Sequence, residues 1–97
     1  MIKTDAIEFY KHYKEKCNAY HLATTTIYFD MATIAPEDGN DYRIQMMSIL
    51  GGDLFDWQTN PENIQKIEEM GTLDLGEVMN EEIRQEIKEL HRISKLP

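Results

Sequence analysis

The chain has little of several things that would assign it to a specialised class of protein. A single cysteine among 97 residues, Cys17, excludes an intramolecular disulfide. The 10 Lys and Arg residues are spread along the chain against 18 Asp and Glu, and a net charge of −8 would repel a phosphate backbone. No apolar run approaches the ~18–20 residues that cross a bilayer, and no apolar signal core is found near the N-terminus. These absences predict a cytoplasmic protein that binds neither nucleic acid nor membrane.

The composition and the length are those of one small globular domain. Hydrophobic residues make up 41% and charged residues 29% of the chain, which favours a folded protein over a disordered one. A chain of this length buries one modest core and is too short for the two-layer α/β architectures that bind most cofactors. We therefore expect a single helical domain over residues 1–97.

The first third of the sequence predicts helix throughout. Apolar residues recur at spacings of three and four from Ala6 to Tyr20, and Asp5 with Glu8 has the spacing of an N-terminal cap. The following segment, Ala19 to Ala35, contains a β-branched run that favours a strand by propensity alone. No turn separates this segment from the first helix and no partner strand is apparent, so we expect a buried helix.

Breaker residues predict where the later helices begin and end. The cluster from Pro36 to Asn40 predicts a turn, followed by a helix over about residues 41–55. Gly51 and Gly52 lie inside that helix, where each costs about 1 kcal/mol in propensity. They indicate either a close helix crossing or an early helix end, and the sequence leaves both open.

Capping signals predict two further helices. Thr59 and Glu62 have the spacing of a capping box around Pro61. This spacing predicts a short helix that ends at Met70. Asn80 is the expected N-cap of a last helix. Its inward stripe is predicted to comprise Ile83, Ile87, Leu90 and Ile93 or Ser94. The whole pattern predicts an all-α fold, a small bundle of four to five helices.

The sequence contains no complete catalytic or metal motif. Zinc sites need three or four convergent ligands, and the nearest arrangement is Cys17 with His21, one helical turn apart. Neither HExxH nor CxxC supplies the remaining ligands, so we interpret His12, His21 and His91 as surface or packed histidines. Ser48, Ser94 and Cys17 lack the context of an activated nucleophile, and the many acidic pairs lie in loops and helix starts, where carboxylates are normally solvated.

An aromatic and methionine-rich set is predicted to form the core. An alternative interpretation is that part of it is exposed as a docking surface for a larger body. The candidate docking face comprises Tyr28, Phe29, Phe55 and Trp57.

Three spaced elements resemble the N-terminal signature of family M32 zinc metallocarboxypeptidases, the thermostable carboxypeptidase Taq type. They are the string from Ile27 to Pro36 (Ile-Tyr-Phe-Asp-Met-Ala-Thr-Ile-Ala-Pro), Arg43 after six intervening residues, and Thr59-Asn60-Pro61 after fifteen more. In that family a segment leads into Trp-Asp-x-x-Thr-x-Met-Pro, an Arg lies on the next helix, and a Thr-x-Pro-Glu-like helix start follows. The matching positions are Asp30, Thr33, Pro36, Arg43, Thr59 and Pro61.

The sequence departs from the family pattern at three positions. Phe29 replaces the tryptophan, Ala35 replaces the methionine before the proline, and Phe55 replaces a histidine common late in the second helix. Phe29 and Ala35 keep the apolar character, whereas Phe55 removes any polar role. We further hypothesise that Asp30 and Arg43 form a buried or half-buried ion pair, assisted by Thr33.

The resemblance implies an architectural role for this chain. In the family, these helices form the N-terminal lid and wall of a substrate cleft, while zinc is bound far downstream by HExxH and a later glutamate. The full enzyme removes C-terminal residues from peptides, so this chain alone would be inactive, without zinc, and partnered by the remainder of the carboxypeptidase chain or by a second copy. The alternative is a stand-alone helical interaction or dimerisation module.

Overall fold

The computed structural model describes residues 2–33 and 40–95, and they form four helices without a strand. The helices are α1 (Lys3–Thr33), α2 (Asn40–Thr59), α3 (Pro61–Met70) and α4 (Glu77–Ser94). The prediction of an all-α fold is therefore confirmed. Of the predicted turn, residues 36–39 lie outside the described residues and Asn40 already belongs to α2.

The segment with strand propensity is helical and continues the first helix without a break. Thr24 Oγ1 and Thr26 Oγ1 each donate a hydrogen bond to the backbone carbonyl four residues earlier, at 2.8 Å. These bonds satisfy the hydroxyls within the helix and allow the β-branched run to adopt helical backbone. The 31-residue α1 thus includes the first predicted segment and residues 19–33 of the second, whose last two residues lie outside the described ones.

The core lies at one end of the molecule, which we call the base. It is formed by the first half of α1, the end of α2, and α3 and α4. Tyr13 stacks between Phe9 and Trp57, with ring centroids 6.1 and 5.9 Å away. The buried apolar residues are Ala6, Tyr10, Tyr13, Cys17, Ile67, Met70, Ile83, Leu90 and Ile93.

Beyond the base, α1 and α2 continue as a two-helix arm. We define the arm as residues 20–33 of α1 and 40–53 of α2, because none of these residues is buried. The radius of gyration of 16.4 Å exceeds the ~13 Å of a compact chain of this length, and the longest dimension is 51 Å. For residues 19–33, the prediction of a buried helix over Ala19–Ala35 is wrong as to burial, since none of them is buried and α3 and α4 are too short to cover the arm.

The caps of the last two helices differ from the predicted ones. Asn60 caps α3, since its Oδ1 accepts hydrogen bonds from the backbone N–H groups of Glu62 and Asn63 at 2.9 and 3.3 Å. Thr59 instead donates from its hydroxyl to the carbonyl of Phe55 and belongs to α2. The predicted capping box is therefore wrong by one residue, because the asparagine amide oxygen takes both N–H groups.

The last helix begins three residues before the predicted cap. Gly76, with a φ of +95°, precedes the first helical residue Glu77, and Asn80 lies inside the first turn. The Asn80 side chain accepts from Leu75 N–H at 2.9 Å and donates to Asp74 at 3.1 Å. It therefore stabilises the loop before the helix and is not the N-cap.

Gly51 and Gly52 neither end α2 nor lie at a close crossing within the chain. The helix continues through both to Thr59. A Cβ placed on either glycine would have no heavy atom within 4 Å, apart from the helix's own backbone. Among the described residues, the two glycines therefore mark neither a close helix crossing nor an early helix end. No packing contact in the described chain offsets their unfavourable helix propensity.

Candidate functional site

A small polar network lies inside the base, where α1 meets α4. The buried carboxylate of Glu86 accepts a hydrogen bond from the Tyr13 hydroxyl at 3.2 Å on one oxygen. On the other oxygen it pairs with the ammonium of Lys14, also at 3.2 Å. The lysine is more exposed than the carboxylate, so the pair connects the core to the surface.

The titratable groups around Glu86 are held in their protonated, unreactive forms. Burial raises the pKa of Tyr13 and of Tyr10, and the negative charge of Glu86 raises both further. Burial also raises the pKa of the Cys17 thiol, although Lys14 opposes this. A nucleophile or general base would need a lowered or near-neutral pKa. The network therefore suits specific helix pairing better than catalysis.

The histidines and the cysteine that the sequence singled out do not converge. Cys17 is buried, whereas His21 one turn later is exposed. His12 packs edge-on against Trp57, with ring centroids 6.1 Å apart, and His91 Nε2 lies 3.4 Å from Glu68 on the surface. Among the described residues, no group of three or more His, Cys, Asp or Glu side chains is placed to bind a metal ion.

An open groove of about 400 Å³ lies where the base meets the arm. The last turn of α4 forms one side through Ile93, and α2 forms the other through Gly51 and Phe55. Charged groups of α1 and α4 reach its rim, including Lys14 of α1 and the Glu89–Arg92 pair of α4. The groove therefore begins at the point where α4 ends and the apolar surface of the arm continues.

Three of the four candidate docking residues are exposed, and the fourth belongs to the base. Tyr28, Phe29 and Phe55 are all exposed to solvent. Trp57 is partly buried against Tyr13 and donates from Nε1 to the Tyr13 carbonyl at 3.4 Å. The ammonium of Lys16 lies 4.0 Å from the Trp57 ring centroid. Trp57 therefore anchors α2 on α1, and the exposed aromatic residues lie on or beside the arm.

The arm combines high exposure with a central part that carries no charge. Residues 22–29 of α1 and 44–52 of α2 contain no Asp, Glu, Lys, Arg or His, in a chain with 29% charged residues. Exposed helix faces of a monomeric protein normally carry charged residues. The sequence reasoning missed Leu22 and Ile44, both exposed here. The runs without charged residues at 22–29 and 44–52 are the feature of the sequence that could have indicated Leu22 and Ile44.

The described residues that carry the family resemblance lie along the arm, at the end of α2 (Thr59) and at the start of α3 (Pro61). Asp30 and Arg43 are each partly exposed, and no ion pair joins them among the described residues. Thr33 donates from its hydroxyl to the carbonyl of Phe29 within its own helix. The hypothesised buried pair is therefore wrong, because water competes for both charged groups. Pro36 lies outside the described residues.

Comparisons with known proteins return no relative. No family model matches the chain, and neither a curated protein nor a solved structure matches it. No described helix has both the length and the apolar character needed to span a membrane.

Proposed function

We propose that this chain is the N-terminal helical lid and cleft-wall part of an M32-like zinc carboxypeptidase. The enzyme as a whole would remove C-terminal residues from peptides, and this part would contribute architecture. The observation that carries the proposal is the uncovered arm, whose central runs 22–29 and 44–52 carry no charged residue. The arm also contains Asp30, Thr33 and Arg43 of the family resemblance. A body that packs against the arm would explain why its apolar side chains face outward.

The outer face of α1 is the surface we assign to contact with that body. Leu22 and Phe29 are 71% and 63% exposed and lie seven residues apart, so they share one face of the helix. Thr25 lies between them on the same face and is also exposed. This stripe extends for two turns without a charged residue, as expected of a helix that packs against another apolar surface.

The described residues do not form the zinc site that such an enzyme needs. Zinc hydrolysis needs convergent protein ligands and an open coordination position. The described histidines and Cys17 lie apart, so these residues do not fit a zinc site, and we assign no step of peptide hydrolysis to them. In this proposal, the zinc ligands and the general base belong to the remainder of the enzyme.

The proposal is tested on the native protein from its source. An antibody raised against this domain is expected to detect a band several times larger than 11.4 kDa. Immunopurified material is expected to release C-terminal residues from peptides, to lose this activity with a zinc chelator and to regain it with added zinc. A band at 11.4 kDa without such activity would contradict the proposal.

Variants of the larger protein test the assigned face. Phe29→Glu is expected to reduce peptidase activity and to lower the melting temperature, because a charge would be buried against the body. Val78→Glu, at an apolar position 82% exposed on α4, is the matched control and is expected to change neither. Equal effects of the two substitutions would exclude the outer face of α1 as the contact.

A further inference from the structure

A second apolar stripe, on α2, faces the space beyond the end of α4. Ile44, Ser48, Gly51 and Phe55 follow one another at spacings of four, three and four, so they form one face of the helix. Ile44 and Phe55 are 51% and 43% exposed, and a Cβ at Gly51 would meet no neighbouring side chain. We call these four residues the α2 stripe. It is distinct from the outer face of α1.

Tyr28 extends this surface onto α1. Tyr10 and Tyr28 are eighteen residues apart, which is five full turns, so they point to the same side of α1. Tyr10 is buried near Glu82 and Glu86 of α4, whereas Tyr28 is exposed because α4 has ended before it. The surface formed by Tyr28 and the α2 stripe is thus the continuation of the one that α4 covers in the base.

The α2 stripe is complementary to itself in the antiparallel direction. A two-fold axis between Ser48 and Gly51 would place Ile44 of one copy against Phe55 of the other. The same axis would place Ser48 against Gly51, so that small residues meet where the two helix backbones come closest. Large side chains at the ends and small ones in the centre are what a close helix crossing requires. An isologous contact of this kind is the commonest arrangement in homodimers.

The exposed area is of the size that a weak dimer needs. Tyr28, Ile44 and Phe55 together expose roughly 300 Å² of side chain. A standard interface buries about 800 Å² per partner, of which a little over half is apolar. The three side chains therefore supply most of the apolar area that each partner would bury. The surrounding uncharged residues of the arm supply the rest.

We propose that two copies of this chain dimerise through the α2 stripes, packed antiparallel across a two-fold axis, so that the two arms form a four-helix bundle. We assign the surface to a second copy because the order of large and small residues along the α2 stripe is the same in both directions. Each copy carries a net charge of −8, so repulsion opposes the dimer and salt is expected to strengthen it. The proposal does not depend on the proposed enzyme, since it concerns another face and the chain alone.

Sedimentation equilibrium of the purified chain tests the dimer directly. The mass is expected to rise from 11.4 kDa to about twice that value, with a dissociation constant on the order of 1–100 µM that falls between low and high salt. A monomer at every concentration up to about 0.5 mM would overturn the proposal. A dimer that salt weakens would also overturn it, because such a contact would depend on ion pairs.

Matched substitutions on the two sides of α2 locate the contact. Ile44→Glu is expected to raise the dissociation constant at least about tenfold, since it buries a carboxylate at the interface. Ile49→Glu is the control, because Ile49 is 52% exposed but lies on the opposite side of the same helix. Circular dichroism of both variants checks that each remains helical. Equal weakening by the two substitutions, or none by either, would overturn the assignment.

A mixing experiment tests the antiparallel register. Ile44→Glu and Phe55→Lys chains are each expected to be monomeric, because each homodimer would contain buried charge that has no opposite partner. An equimolar mixture is expected to recover the dimer, since the carboxylate introduced in one chain would meet the ammonium introduced in the other. Recovery would support the register with Ile44 opposite Phe55. A mixture that stays monomeric, although the unmodified chain dimerises, would overturn it.

Discussion

The Tyr13 hydroxyl donates a hydrogen bond to Glu86 Oε1 across 3.2 Å of the core, joining residues 73 positions apart in the chain. Lys14, next to Tyr13 in the sequence, binds the other carboxylate oxygen. Together these contacts fix α1 against α4 at one position along both helices. A buried carboxylate is costly unless its oxygens are satisfied, so a sliding or rotated α4 would lose both partners. The network therefore favours one register of the two helices.

Removal of the Glu86 carboxylate is expected to destabilise the fold strongly. Glu86→Ala leaves the Tyr13 hydroxyl without an acceptor and opens a small cavity, and we expect a loss of about 2–4 kcal/mol in the free energy of unfolding. Glu86→Gln retains an acceptor and is expected to cost about 1 kcal/mol. Urea unfolding measures both. Glu8→Ala, at an exposed carboxylate of α1, is the control and should change the free energy by less than about 0.5 kcal/mol.

The two neighbouring buried tyrosines are expected to respond differently to loss of the hydroxyl. Tyr10 Oη is buried without a hydrogen-bond partner of good geometry, so Tyr10→Phe should be neutral or stabilising by up to about 1 kcal/mol. Tyr13→Phe removes a donor to Glu86 and should cost about 1–2 kcal/mol. Thermal unfolding of the two variants under one set of conditions compares them. A cost for Tyr10→Phe as large as that for Tyr13→Phe would show that Tyr10 has an unrecognised partner.

The raised pKa values predict that stability falls at alkaline pH. Tyr10 and Tyr13 keep their protons in the folded state beyond the ordinary pKa of 10.0, whereas the unfolded chain releases them there. The unfolded state then binds fewer protons, so the free energy of unfolding decreases as pH rises, by up to about 1.4 kcal/mol per pH unit for each group. The raised pKa of the Cys17 thiol lowers the free energy of unfolding in the same way, starting near the ordinary thiol pKa of 9.0. Urea unfolding between pH 8 and pH 11 is expected to show this fall, with a shallower slope in Tyr10→Phe. A flat profile would contradict it.

The sequence predicted that the helices exist better than it predicted which of their residues are buried and what those residues contact. Spacing alone identifies the apolar stripe of α4, but it does not assign Glu86 to the inward face, and Glu86 is buried between Ile83 and Leu90. Nothing in the sequence shows that Tyr13 and Lys14 lie opposite it, since they are more than seventy residues away. Pairing at that distance is decided by tertiary packing, which local patterns do not contain.

Local pattern indicated the exposure of the arm only as an alternative, through Tyr28 and Phe29 of the candidate docking face. The segment around Thr24 is apolar enough to be buried, and it remains uncovered because α3 and α4 are too short to reach it. Helix length relative to a neighbour is a property of the whole fold. The charge-free runs at 22–29 and 44–52 are the local feature of the sequence that indicates an uncovered apolar surface.

Neutralisation of Asp30 is expected to have little effect on stability. Without an ion pair to Arg43 among the described contacts, Asp30→Asn should change the free energy of unfolding by less than about 0.5 kcal/mol. A buried pair would instead have cost about 3–5 kcal/mol on removal of one partner. Urea unfolding of Asp30→Asn distinguishes the two. A loss above about 2 kcal/mol would show that the carboxylate is paired in solution after all.

The glycines of α2 are expected to be sites where alanine stabilises the isolated monomer. Gly51→Ala and Gly52→Ala each add a methyl group to open space in a helix interior, and each should raise the free energy of unfolding by about 0.5–1 kcal/mol. Gly71→Ala is the contrasting case, since its Cβ would lie 2.9 Å from Ile87 Cδ1 and 3.1 Å from the Glu68 carbonyl oxygen. That substitution is expected to give no gain. Urea unfolding at low micromolar protein compares the three, and a destabilised Gly52→Ala would show that α2 bends or ends at this position.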